Sequence, residues 1–311
     1  MNSFKKNSAT STITGCTLCP KACGVEREQG LGFCGTGTGL EIASVTVHKG
    51  EEPVISSKDG ICNIFFYGCN LRCIYCQNHQ ISWKKPRLPA EVFSLPELIG
   101  RITDILDLGI ENNGFVSPSH MVPQMRRIIE ELHTKNYFPI VVYNTNSYEK
   151  VETLRSLEGV VDVYLPDFKY MDTGLATRWS KTADYPEVAC AAMKEMYRQK
   201  GNRLFYTESG KISSGMIVRH LVLPGAVANS IAVFHYLAEE LSTRLAISLM
   251  AQYQPTPDVA DTPPLHRKIT SEEYRQVIRE VEELGFATGW LQDFDSAEYY
   301  NPDFTRSSPF G

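Results

Sequence analysis

The chain has no apolar run approaching the ~20 residues of a membrane helix, so no span is expected. It has no basic stripe either. Its 31 Lys and Arg are interspersed with 36 Asp and Glu, for a net charge of −5, which argues against nucleic acid as the main partner. The first residues, Met1-Asn2-Ser3-Phe4-Lys5-Lys6-Asn7-Ser8, lack the apolar core of an export signal. A soluble cytoplasmic protein with reduced thiols is therefore the expectation. Against that background the nine cysteines stand out. In a reducing compartment they imply metal or redox use rather than disulfides. The 311 residues, 42% hydrophobic, suffice for one large α/β domain with a small appendage.

Three of the cysteines lie in Cys69-Asn70-Leu71-Arg72-Cys73-Ile74-Tyr75-Cys76, the spacing C-x3-C-x2-C. A disulfide or a structural zinc is the bland alternative. A zinc site, however, closes with four ligands, and four cysteines usually hold a cubane iron–sulfur cluster. A compact trio suits a cluster that keeps one iron without a protein ligand, and such an iron can bind a small molecule. The preceding run, Ile61 to Tyr67, is apolar and reads as a buried strand. Gly68 then permits the sharp turn into the loop.

A second group is Cys16-x2-Cys19-x3-Cys23-x10-Cys34, with Pro20 and several glycines supplying tight turns. Four thiolates at this spacing close a zinc site or hold a second [4Fe–4S] cluster, and soft ligands suit both. Cys62 and Cys190 fall outside both groups and read as small buried residues.

Residues 1–14 are polar and read as a loose end, and residues 40–48 alternate as a strand. From residue 61 the pattern is strand then helix, repeated. Strands are expected at 61–67, 114–117, 139–145, 160–168, 216–223 and 245–253. Helices are expected at 95–108, 122–134, 148–157, 187–199, 228–241 and 271–284, the last opened by a Thr270…Glu273 capping box. Six strands separated by helices imply parallel pairing with right-handed crossovers. A doubly wound sheet and a barrel-like wrap both fit.

The later strands carry polar groups at their ends: Ser117, Ser119 and His120; Asn144 and Asn146; Asp167 and Lys169; Arg219 and His220; Gln252. Each alone has a bland reading as a turn former, an ion pair or a core histidine. Together, downstream of one cysteine loop, they point to a site.

These residues resemble the radical S-adenosylmethionine (SAM) superfamily. More narrowly, the chain is similar to proteins of the pyruvate formate-lyase activating enzyme type that carry an amino-terminal Cys-x2-Cys-Pro-x2-Cys-Gly-Val segment. The resemblance implies a partial (β/α)6 barrel, residues 59–311 with a carboxyl-terminal helix and strand, preceded by a small extension over 1–58. It implies a [4Fe–4S] cluster on Cys69, Cys73 and Cys76 and an oxygen-sensitive, hence anaerobic or microaerobic, chemistry. SAM would chelate the open iron and be cleaved reductively to a 5′-deoxyadenosyl radical. Tyr75 would lie against the adenine. Asn144 and Asn146 would reach the SAM carboxylate and ribose, with Asp167 and Lys169 near the carboxylate and sulfonium. At the second strand end these enzymes commonly read Gly-Gly-Glu. Here Ser117, Ser119 and His120 stand in its place, and His220 is a further cofactor-facing candidate. Implied partners are a flavodoxin- or ferredoxin-type electron donor and a protein substrate bearing a glycine. A small molecule or lipid as substrate is the alternative, and a non-enzymatic iron–sulfur carrier or zinc scaffold the reading from another class. The segments 170–186 and 254–264 are expected on the substrate side.

Overall fold

The computed structural model describes residues 15–83, 91–294, 302–306 and 308–310. The polar segment 1–14, expected to be a loose end, lies outside the described residues. The first strand, β1 (Leu40–His48), turns through the short helix α1 (Pro53–Ser56) into β2 (Ile61–Phe66) and pairs with it antiparallel. Next come β3 (Glu91–Phe93), α2 (Leu95–Leu106), β4 (Asn112–Val116), α3 (Val122–Thr134), β5 (Ile140–Thr145) and α4 (Val151–Ser156). They are followed by β6 (Val163–Pro166), α5 (Thr173–Ser180), α6 (Tyr185–Lys200), β7 (Phe205–Tyr206) and β8 (Ile212–Leu221). The last elements are α7 (Val227–Glu240), β9 (Ala246–Met250), α8 (Ser271–Glu283) and β10 (Gly289–Leu291).

The sheet order is β10-β9-β8-β6-β5-β4-β2-β1-β3. Within it β2, β4, β5, β6, β8 and β9 follow chain order and pair in parallel. This is the expected six-stranded α/β core, mostly parallel and not closed into a full barrel. β10 adds in parallel at one edge. β1, expected in the amino-terminal extension, is hydrogen-bonded into the same sheet as the core.

Strand periodicity explains the interior. Alternate residues face one side, and Ile61, Val142, Val163, Ile217 and Ala246 share one buried apolar cluster with Ile55 of α1. Two residues further along each strand the same face carries Asn63, Asn144, Leu165, Arg219 and Ser248. The opposite face packs on the helices in the main core. α2 and α8 open with full capping boxes, Ser94 with Glu97 and Thr270 with Glu273.

Candidate functional site

The cysteine loop leaves β2 at the carboxyl end of the parallel strands, the end at which β/α barrels place their chemistry. Gly68 makes the turn at φ +81°. Cys69, Cys73 and Cys76 then line one wall of a cavity of about 1090 Å³, part of it open to solvent. Ser117, Asn144, Asn146, Asp167, Lys169 and Tyr75 line it too.

The sulfurs are placed as hydrogen-bond acceptors. The Leu71 amide and Asn146 Nδ2 donate to Cys69 Sγ at 3.4 and 3.6 Å. Ser180 Oγ donates to Cys73 Sγ at 3.0 Å. Burial pushes all three thiols up, Cys76 to about 11. Neighbouring thiols push Cys69 and Cys76 up further, while the Lys169 cation draws all three down. Three thiols within reach of one another, and of a cation, form a donor set that thiolate-bound iron would satisfy.

Tyr75 is 5% exposed and set edge-on against Tyr170, Trp179 and Tyr253. Its hydroxyl accepts from Tyr170 Oη at 2.6 Å, and Tyr170 meets Ser180 at 2.7 Å, so a hydroxyl chain runs from Tyr75 to Cys73. The segment 170–186, expected on the substrate side, thus lies against the cysteine loop. The Ile74 amide donates to the Trp179 carbonyl at 2.8 Å. From the segment 254–264, Thr256 Oγ1 donates to the Ile74 carbonyl at 3.3 Å.

The cavity floor is charged. Asp167 accepts from Lys169 Nζ at 2.9 Å and from Arg219 Nε at 2.8 Å. Arg219 also donates to Glu51 at 2.9 Å and to Asn144 Oδ1 at 2.8 Å. Asn63 Nδ2 adds a bond to Glu51 at 3.0 Å. Burial alone would raise the Asp167 carboxyl, but Arg219 and Lys169 hold it below the ordinary range. Burial would lower Lys169 and Arg219, and Asp167 holds both above theirs.

Three expected residues lie off the cavity. Ser119 is fully buried and donates to Glu149 at 2.5 Å, joined there by Thr145 and Tyr143. His120 meets the Tyr67 carbonyl at 2.8 Å. His220 bonds the Phe168 carbonyl at 2.6 Å and Ser230 at 2.8 Å, as a satisfied core histidine. Ser119 and His120 belong to a helical turn, Pro118–His120, whose side chains are buried in the interior; for His220 the physical reason is parity. Arg219 and His220 are adjacent on β8 and so face opposite ways. Asp167 pairs with Arg219 in an isolated bridge, which puts Arg219 and not His220 on the inner face.

Sequence reasoning missed Glu51, Ser180 and His48, and named Arg219 among the polar strand ends without giving it a role. The parity of Arg219 with Ile217 in the apolar inner layer was the available signal for that role. Glu51 carries no such signal, because it enters the interior from the turn after β1, and His48 is the last residue of β1, where a lone histidine reads as a strand end. His48 is 8% exposed and lines the cavity. Its ring lies 4.1 Å from that of Phe310, and its Nδ1 has no hydrogen-bond partner among the described residues.

The amino-terminal cysteines form a separate group. Cys16, Cys19 and Cys34 are buried and Cys23 is exposed. Among the described residues, no group of three or more His, Cys, Asp or Glu is arranged to hold a single metal ion. Among them, too, no helix is long and apolar enough to cross a membrane.

Known proteins set this geometry in context. HydG, a maturase of the [FeFe]-hydrogenase, superposes with a TM-score of 0.51 at 13% identity, over 72% of this chain and 49% of its own. HydG of Carboxydothermus hydrogenoformans gives 0.50 at 12% identity, over 72% and 51%. The chain shares the HydG fold. It spans about half the length of those maturases. An uncharacterized protein of Methanocaldococcus jannaschii is 28% identical over 283 residues, 90% of this chain and 78% of that one. No family model matches the chain.

Proposed function

We propose that this protein is a radical SAM enzyme, with a [4Fe–4S] cluster on Cys69, Cys73 and Cys76 and SAM beside it in the same cavity. The observation that carries the reading is the wall of three thiols, with no fourth cysteine among the described lining residues, at the carboxyl mouth of a six-stranded parallel half-barrel. When bound, the cluster and SAM supply one-electron cleavage of the sulfonium's C5′–S bond, giving a 5′-deoxyadenosyl radical for hydrogen abstraction. The chain's own part is to bind, orient and shield. Asn146, Ser180 and the Leu71 amide fix the sulfurs and tune their charge. Asp167 and Lys169 present one charge of each sign toward a zwitterionic amino-acid group. Phe65, Leu71, Val116, Leu221 and Met250 keep water from the reacting atoms. His48 Nδ1 offers an open hydrogen-bonding position to the molecule that is attacked.

For the substrate, the resemblance to activating enzymes favours a glycine on a partner protein, with a flavodoxin- or ferredoxin-type donor as reductant. Fold alone does not choose a substrate, so the experiment proceeds in two stages. Protein reconstituted anaerobically with iron and sulfide, then reduced with dithionite, is expected to turn SAM into methionine and 5′-deoxyadenosine. Absence of that product with an intact, reducible cluster refutes the reading, and Cys69→Ala, Cys73→Ala and Cys76→Ala must each abolish it. Deuterium from an α-deuterated glycine of a captured partner should then appear in 5′-deoxyadenosine. Its appearance from a metabolite pool instead moves the substrate to a small molecule.

A further inference from the structure

The four amino-terminal cysteines do not line the cavity, but they abut its wall. The Cys34 carbonyl accepts the Cys69 amide at 3.2 Å, so one hydrogen bond joins a member of each group. Beside it the Arg72 guanidinium lies 3.8 Å from the centre of the Phe33 ring and donates to the Phe33 carbonyl at 3.1 Å. Lys21 sits between the rings of Phe33 and Tyr148, at 4.9 and 4.8 Å, and its charge is felt by both Cys19 and Cys73.

Within the group the thiols are mutual neighbours. Cys16 and Cys23 share a hydrogen bond. A Cβ on Gly32 would stand 3.2 Å from Cys34 Sγ and 3.5 Å from Cys23 Sγ, so a glycine there keeps the space between them open. Cys19 lies close enough to Cys34 and Cys16 to feel their charge. Backbone N–H groups of Phe33 and Val25 are aimed at the Cys23 sulfur. Tight turns shape the knuckle, with Ala22 N donating to Cys19 O at 3.0 Å and Gly35 N to Gly32 O at 2.8 Å.

Amides aimed at a sulfur, in tight turns, are how proteins support a bound thiolate. The link to the trio bears on which metal. Zinc has no redox chemistry and would serve only as a staple, whereas a four-cysteine iron–sulfur cluster carries electrons, and the Cys34–Cys69 hydrogen bond sets the quartet against the trio.

We propose that Cys16, Cys19, Cys23 and Cys34 hold a second iron–sulfur cluster, which takes one electron from a low-potential flavin or iron–sulfur protein and passes it to the cluster on Cys69, Cys73 and Cys76. The relay role rests on the radical SAM reading above. The presence of the cluster does not. Four thiolates leave no iron open, so this cluster carries charge and binds no substrate. The donor loses one electron, each cluster is reduced and the first is reoxidised in turn, and no bond or proton moves. Exposed Cys23 gives the donor an edge to approach, and the Cys34–Cys69 hydrogen bond gives the electron a short route inward.

The test counts metal before it measures activity. Reconstituted wild type should carry about eight irons and about eight sulfides per chain, with no stoichiometric zinc. The Cys69→Ser/Cys73→Ser/Cys76→Ser variant should keep about four of each, with an EPR signal on reduction that SAM leaves unchanged. The Cys16→Ser/Cys19→Ser variant should keep about four irons whose signal SAM does perturb. Its reduction by flavodoxin should slow on the order of tenfold or more, while dithionite still reduces it. About four irons in wild type, or zinc in the triple variant, overturns the second cluster. Unchanged flavodoxin reduction in the double variant overturns the relay. Two clusters in a wild type that never cleaves SAM would sink the proposed function and leave the metal assignment standing.

Discussion

Replacing Gly68 with alanine should loosen the amino-terminal knuckle from the cysteine loop without touching a thiol. The residue stands at φ +81°, where a side chain is disfavoured by roughly 1–2 kcal/mol. Its Cβ would lie 2.5 Å from the Cys34 carbonyl oxygen and 2.7 Å from Thr36 Cγ2. The first of these is backbone and cannot swing away, so the strand of chain carrying Cys34 must move. That movement breaks the 3.2 Å bond from the Cys69 amide, worth about 1 kcal/mol net. The sum is a destabilisation of about 2–3 kcal/mol. Urea unfolding of the metal-free chain reads it as a lower midpoint at unchanged slope. Hydrogen exchange reads it locally, as faster exchange of the Cys69 amide. A wild-type midpoint together with wild-type protection of that amide would refute the argument that the two cysteine groups are joined backbone to backbone.

Arg219→Met should cost about 3–5 kcal/mol in urea unfolding, because it leaves the Glu51 and Asp167 carboxylates buried without their cation; a loss under 1 kcal/mol would mean that water enters the floor. Ser180→Ala removes the donor at 3.0 Å from Cys73 Sγ and should lower the potential of the cluster proposed for the trio by roughly tens of millivolts, measured by EPR-monitored titration; an unchanged potential would refute a tuning role for Ser180. His220 is driven by burial from its ordinary 6.5 down to about 4. Its neutral form therefore contributes stability that is complete above pH 6.5 and declines as the pH falls toward 4, as the unfolded chain takes up the proton first. The whole window is worth roughly 3 kcal/mol, and His220→Asn should flatten that part of the difference in unfolding free energy between pH 7.5 and 4.5.

The strand–helix alternation was legible because the core strands, β4 with its Asn112-Asn113-Gly114 start excepted, carry short apolar runs bounded by polar or glycine-containing turns. β2, β5 and α3 fall within one residue of their expected bounds. α5 was not expected, since Thr173–Ser180 is short and its apolar stripe is weak. In the site, residues that are chemically distinctive and lie on strand ends could be named in advance: the trio, Asn144, Asn146, Asp167 and Lys169. What could not be read was which neighbour a polar side chain chooses. Ser119 and Ser117 look alike in sequence, yet Ser117 adopts φ +53° and faces the cavity while Ser119 turns into the hydroxyl cluster around Glu149. Asn146 was expected to meet SAM. It lines the cavity, and its Nδ2 donates to Cys69 Sγ and Asn70 Oδ1 while its Oδ1 accepts from the Tyr148 amide. It positions the Cys69 sulfur, a role visible only once β5 and the cysteine loop are brought together.

The charged floor marks where this barrel sets stability aside. One layer below, Ile61, Val142, Val163, Ile217 and Ala246 fill the interior with apolar atoms. Continuing that layer upward would have given a drier and more stable core, because taking ions out of water costs several kcal/mol each and mutual attraction often only offsets it. Instead the next positions bring two carboxylates, Glu51 and Asp167, against Arg219 and Lys169, with Asn63 and Asn144 completing the bonds. A network satisfied at each member holds its dipoles in one orientation, so they need not reorganise when a charged ligand arrives. Such a floor has little use in a carrier whose cluster only exchanges electrons. It suits the cavity proposed above, which would hold a zwitterion and a sulfonium in one pose beside three thiols.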